Sequence, residues 1–143
     1  MEHTVEVDVA ASASRLWDVL ADVERLPELT PSMASVEHLG EGELGVGSRV
    51  RIDQPKLAAM TWEITEWDPG RGFTWEMSSA GVRVRASHVV TPTGPASCRL
   101  TLTMSQRGFL VPLLELLVGR RGRRYMAQEA DGLKRAAETA RSA

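Results

Sequence analysis

The chain has 143 residues, 43% of them hydrophobic and 25% charged, a composition expected of one globular domain with its own core. With 17 basic and 19 acidic residues the formal net charge is -2, which argues against a globally basic nucleic-acid binder. The lone cysteine, Cys98, excludes an intrachain disulfide and points to a reducing, cytoplasmic setting; Met1 to Glu6 lack the pattern of a signal peptide, and the longest apolar run, Phe109 to Val118, is too short to span a bilayer and contains Glu115, so an integral membrane protein is not expected.

Residues 4–9, Thr-Val-Glu-Val-Asp-Val, alternate strictly and predict a half-buried strand. After Ala-Ser-Ala-Ser, where Ser12 or Ser14 can cap, Leu16, Val19, Leu20 and Val23 fall at helical spacing. Pro27 and Pro31 interrupt this region, so two short helices are expected, at about 13–23 and 24–29. From Ser32 the pattern turns to strands and tight turns. Strands are predicted near 33–40, 47–54, 58–67, 73–78, 82–91 and 96–106, punctuated by glycines at 42, 45 and 47, by Asp68-Pro69-Gly70-Arg71-Gly72, by Gly81 and by Pro92-Thr93-Gly94-Pro95. Gly108 leads into a long helix, about 109–141, with Pro112 in its first turn. Gly119 and Gly122 weaken it, marking a bend or a close backbone contact.

Strand alternation assigns faces. Met60, Trp62 and Ile64 share one side, as do Phe73, Trp75 and Met77, then Val82, Val84, Ala86, His88 and Val90, and finally Cys98, Leu100, Leu102, Met104 and Gln106. An antiparallel sheet with one apolar face must cover it, and only the C-terminal helix is large enough to do so. A curved sheet under a single helix leaves a pocket lined by Trp62, Trp75, Met77, Met104 and the underside of the helix. His88 and Gln106 are polar on this face and need partners if buried. No cluster of His, Cys and carboxylates has metal-ligand spacing, no phosphate-binding glycine loop stands between a strand and a helix, and no nucleophile elbow is present, so no metal or cofactor is expected.

Several segments in this order resemble a known family: Val9-Ala10-Ala11-Ser12 running into Leu16-Trp17-Asp18-Val19-Leu20 and on to Leu26-Pro27, then Gly45-Val46-Gly47-Ser48-Arg49-Val50, Ile64-Thr65-Glu66-Trp67-Asp68-Pro69, and Gly132-Leu133-Lys134-Arg135. The ordered set resembles the START-like (SRPBCC) superfamily, in its bacterial polyketide cyclase/dehydrase branch, over nearly the whole chain. The resemblance implies an α+β helix-grip fold: a seven-stranded curved antiparallel sheet around a long C-terminal helix, with two short helices after strand 1, as a single domain over residues 1–143. It also implies an internal cavity for polyketides, lipids, quinones or other hydrophobic compounds, and it does not by itself imply an enzyme.

The leading expectation is therefore a protein that binds a hydrophobic small molecule between sheet and helix. Two rivals stand beside it: a polyketide cyclase, aromatase or dehydratase using the same cavity, and an interaction module without ligand. The residues expected at the ligand are Met60, Trp62, Trp75, Met77, His88, Met104 and Gln106 on the sheet and Leu113, Leu117 and Arg121 on the helix. His88 and Tyr125 are the catalytic candidates, since both can move or donate a proton; each has a plain alternative, a satisfied core histidine and a packed helix tyrosine. No carboxylate shares the face of His88 on its strand, so no orienting acid is evident. Arg120, Arg121, Arg123 and Arg124 form a basic cluster that is either a solvated face or a contact for phosphate, an acidic protein or a membrane surface. Ligand identity and oligomeric state stay open, a homodimer included.

Overall fold

The computed structural model describes residues 1–139. Strand β1 (Glu2–Val9) alternates inward and outward as its sequence dictates and lies antiparallel to β7 (Ser97–Arg107), with Val5, Val7 and Val9 opposite Leu102, Leu100 and Cys98. Helix α1 (Ala13–Ala21) follows, and Ser12 is its cap: Ser12 Oγ accepts from the Arg15 N–H at 3.1 Å. The first helix ends two residues earlier than its periodicity predicts, because Val23–Arg25 tighten into a 3-10 turn that leads into the short α2 (Leu26–Leu29). The remaining strands are β2 (Ser35–Leu39), β3 (Arg49–Asp53), β4 (Met60–Asp68), β5 (Gly72–Ser79) and β6 (Val82–Gly94), and α3 (Val111–Thr139) ends the described chain. Positions 140 and 141 of the expected helix lie outside the described residues.

The seven strands form one antiparallel sheet in the order β1-β7-β6-β5-β4-β3-β2. Strands β1 and β2 are consecutive in the chain yet sit at opposite edges, and the two short helices carry the chain from one edge to the other. This is the helix-grip arrangement that the family resemblance implies. Strand β6 continues three residues beyond its predicted end, since Pro92 and Gly94 still pair with Cys98 and Ser97 across an irregular register. Strand β4 starts two residues late, after a loop in which Lys56 takes a φ of 64°.

One irregularity in β4 reorganises its side chains. Between Ile64 and Glu66 the register against β5 shifts by a bulge. Strict alternation from Met60, Trp62 and Ile64 would turn Trp67 outward. The extra residue turns it inward instead, where its ring lies 5.2 Å from Trp17 and 5.4 Å from Phe73. Glu66 is thereby placed on the outer face beside Arg85, with which it forms an ion pair. Its carboxyl is held below the usual carboxylate range, first by a hydrogen bond from the Thr74 hydroxyl and then by the Arg85 charge.

The solid core lies under the C-terminal half of α3. Leu16, Leu20, Leu26, Ile64, Leu100 and Leu133 are fully buried there. Cys98 is buried among them, and burial pushes its thiol pKa up. The close backbone contact expected at Gly119 or Gly122 occurs at Gly132, where an added Cβ would overlap the Leu29 carbonyl oxygen. Gly132 thus lets α3 cross directly over the end of α2, while Gly119 and Gly122 serve a different purpose.

Candidate functional site

Helix α3 is packed unevenly. Its buried residues are Val111 at the start and then Tyr125, Met126, Ala130, Gly132, Leu133 and Ala137; none lies between Val111 and Tyr125. The front half therefore stands off the sheet, and a cavity of about 510 Å³ lies beneath it. That size is in the range of small-molecule sites. Its floor is the inner face of the sheet: Ile52 of β3, Met60 and Trp62 of β4, Met77 of β5, Val84 of β6 and Met104 of β7. Its roof is Leu114, Val118, Gly119, Gly122 and Met126 of α3. At Gly122 an added Cβ would meet nothing within 4 Å, so this glycine leaves open space where a side chain would stand. Tyr125 closes one side by donating its hydroxyl hydrogen to the Pro55 carbonyl oxygen, which ties α3 to the β3–β4 loop.

The polar groups sit at the ends. At the rim Arg123 pairs with Glu115, and both line the cavity. Gln106 lines it from β7; its Nε2 donates to the Met104 sulfur at 3.9 Å, and its backbone carbonyl accepts from the Met1 ammonium at 2.8 Å. The inner end is marked by Glu129. Glu129 Oε1 lies 3.3 Å from His88 Nε2, with side chains only 12% and 4% exposed. The imidazole edge is not aligned to give this oxygen a full hydrogen bond, and among the described residues no other donor reaches it. Glu129 Oε1 is thus a buried acceptor with an unfilled position at the wall of an apolar chamber. Behind it His88 is fixed on three sides. Its Nδ1 lies 3.3 Å from the Phe73 carbonyl oxygen, its ring stacks on Phe73 at 4.3 Å, and the Trp75 ring meets its edge at 5.2 Å.

The structure distributes the expected ligand residues unequally. Met60, Trp62, Met77, Met104 and Gln106 line the cavity, and so does the candidate Tyr125. Trp75 and His88 do not: both are buried behind the wall, and His88 reaches the chamber only through Glu129. On α3 the expected register is corrected. Leu113 and Leu117 are 52% and 68% exposed and point away, and Arg121 does not line the cavity either; its neighbour Arg123 does. The physical reason is helical geometry. Stepping back by three or four from the buried Met126 reaches Gly122, then Gly119 and Val118, then Glu115 and Leu114, and that is the face turned inward. The leucines at 113, 116 and 117 form a compelling apolar stripe, but it is the outer one. Alternation along β6 gives His88 no acidic neighbour; the carboxylate, Glu129, arrives from the helix opposite, where no local pattern signals it. Among the described residues, no group of three or more His, Cys, Asp or Glu is disposed to hold a metal ion, and no helix is long and apolar enough to cross a membrane.

Comparison with known proteins places these features in a wider group. A sequence profile described as polyketide cyclase / dehydrase and lipid transport matches residues 1–138. None of the curated proteins compared with the chain matches it. Among solved structures, the di-domain ARO/CYC BexL from the BE-7585A biosynthetic pathway superposes with a TM-score of 0.74 at 20% identity over 100% of this chain. The chain spans about half of that protein, 48% of its length. The Zhui aromatase/cyclase from Streptomyces sp. R1128 gives a TM-score of 0.74 at 22% identity, covering 96% of this chain and 93% of that one. A START superfamily protein from Mycobacterium smegmatis gives 0.73 at 17% identity, covering 94% and 97%. Likeness at this level of identity establishes the fold.

Proposed function

Because the chain belongs to the polyketide cyclase/dehydrase and lipid transport family, we propose that it binds a hydrophobic small molecule in the chamber between the sheet and the front half of α3. The observation that carries this reading is the 510 Å³ space walled by Trp62, by Met60, Met77, Met104 and Met126, and by aliphatic side chains. Apolar surface moved from water into such a chamber contributes roughly 25 cal/mol per Å² before the costs of association. Methionines at 60, 77 and 104 adapt their shape to different ligands. The polar groups at the walls set the ligand's orientation: Glu129 Oε1 accepts from a hydroxyl or amine at the inner end, and Arg123 and Glu115 meet a polar group at the rim. A polyketide-like, phenolic or lipid compound with one hydrogen-bond donor fits this distribution.

Tryptophan emission is the direct test. Trp62 is part of the wall, so titration with hydroxylated aromatic or polyketide-like compounds changes its fluorescence, and Gly122→Leu, which fills the chamber, abolishes the change while the protein stays folded. Silence of the wild-type protein across a broad hydrophobic panel overturns the reading.

A second reading, a cyclase or dehydratase acting in the same chamber, is favoured by the His88–Glu129 contact. A carboxylate beside an imidazole can hold and pass a proton, and the chamber would fold a flexible chain against it. Two of the structural neighbours are named as aromatase/cyclases. In this reading Glu129 faces the substrate and His88 is the positioning residue behind it. Turnover lost in Glu129→Gln with binding of apolar ligands retained is the result that would distinguish catalysis from carriage.

A further inference from the structure

The face of α3 turned away from the chamber carries its own message. Phe109 is 82% exposed, Leu113 52%, Leu116 81% and Leu117 68%. Isolated exposed apolar residues are ordinary, but four large ones within nine positions, Phe109 in the turn before α3 and three leucines along one side of its first turns, are a patch. The next turns of the same side carry Arg120 and Arg124, and among the described residues neither has an acidic partner, whereas Arg123 is engaged by Glu115. From Phe109 to Arg124 there are four arginines and one glutamate, a local charge of 4 - 1 = +3 in a chain whose overall charge is -2.

We propose that this face docks the protein on an anionic lipid bilayer, with Phe109, Leu113, Leu116 and Leu117 entering the boundary between headgroups and acyl chains and Arg120 and Arg124 meeting the headgroups. The charge pattern is that of an interfacial helix, apolar residues flanked by arginines. A second copy of the chain fits less well. An antiparallel isologous pairing would set Arg120 and Arg124 of each copy against the apolar side chains of the other, with no unpaired acid on the face among the described residues to meet them, and the edge of one helix is small against the area a stable dimer buries. Docking would set the roof of the chamber against the phase in which apolar ligands dissolve. That last link rests on the ligand-binding reading; the docking itself does not.

The experiment is co-sedimentation of the full chain with vesicles of phosphatidylcholine alone and of phosphatidylcholine with phosphatidylglycerol. Binding is expected only to the anionic vesicles and is expected to fall as salt rises. Arg120→Gln with Arg124→Gln should lower it about 25-fold, at about fivefold per arginine. Leu116→Ser should lower it about tenfold. All three side chains lie outside the core, and an unchanged thermal melt verifies that the variants fold. Absence of binding, binding that ignores phosphatidylglycerol, or equal binding by the double arginine variant overturns the proposal. So does a wild-type dimer that Leu116→Ser converts to monomer without any vesicle association, which would assign the face to a second copy. If vesicles fail to bind while Trp62 still reports cavity ligands, docking falls and the binding function stands.

Discussion

His88 Nε2 and Glu129 Oε1 lie 3.3 Å apart, one projecting from β6 and the other from α3, and they join the buried sheet to the wall of the chamber. The pair is asymmetric. His88 is held by Phe73 and Trp75 and has no access to the chamber, while Glu129 has one oxygen short of donors and faces it. A ligand hydroxyl placed against that oxygen makes a hydrogen bond to a group that is otherwise unsatisfied.

Glu129→Gln is accordingly expected to weaken hydroxylated ligands by about tenfold or more, since hydrogen bonds to charged groups contribute about 1.5–3 kcal/mol. Purely apolar ligands of the same size are expected to bind as before. Fluorescence titration of matched ligand pairs, with and without the hydroxyl, checks this; equal losses for both members would remove Glu129 from ligand recognition.

Gly122→Leu is expected to block the chamber and to stabilise the fold. Nothing stands within 4 Å of an added Cβ at this position, and replacing a mid-helix glycine gains roughly 0.5–1 kcal/mol of helix propensity. A raised melting temperature together with lost ligand response is the expected pair of results.

Gly132→Ala has the opposite sign. Its methyl group would overlap the Leu29 carbonyl oxygen, a backbone atom that cannot swing aside, so α2 and α3 must separate. Overpacking of this kind costs about 1–3 kcal/mol, more than the helix propensity gained. Thermal or denaturant unfolding measures the loss, and a melting temperature equal to wild type would show that the helices can part freely.

The Glu66–Thr74–Arg85 cluster predicts a small pH dependence. The folded-state carboxyl is depressed, so its contribution is present above the ordinary carboxylate range and is lost as pH falls through the lower folded value. Because Glu66 and Arg85 are 60% and 47% exposed, the effect is within about 1 kcal/mol. Glu66→Gln is expected to be slightly less stable than wild type at neutral pH and indistinguishable from it in acid; unfolding titrations at both pH values decide.

Much of this architecture was legible in the sequence because local signals were strong. Alternation in β1, β6 and β7 and the turn residues between strands located every strand to within a few residues, and the inward row Met60, Trp62, Met77 and Met104 followed from period two alone. What escaped depended on contacts between distant segments. The bulge at Thr65 that turns Trp67 inward has no local signature. Leu113 and Leu117 were expected inside because an apolar stripe usually marks the core face, and here a second, outward stripe competes with it. His88 lacked an evident acid because its partner lies 41 positions along the chain, on an element that meets it only after folding. The roof could have been found by extending the Met126, Ala130, Leu133 and Ala137 row toward the N-terminus, where it runs into two glycines.

The stretch of α3 from Pro112 to Arg124 contains no fully buried residue, whereas the far half of the helix sinks Met126, Ala130, Leu133 and Ala137 into the core, and α3 packs chiefly on β1, α1 and β7. Wall residues such as Leu114 and Val118 are therefore cheap to exchange. A lineage could retune the shape of its chamber through many successive substitutions without passing through an unfolded ancestor.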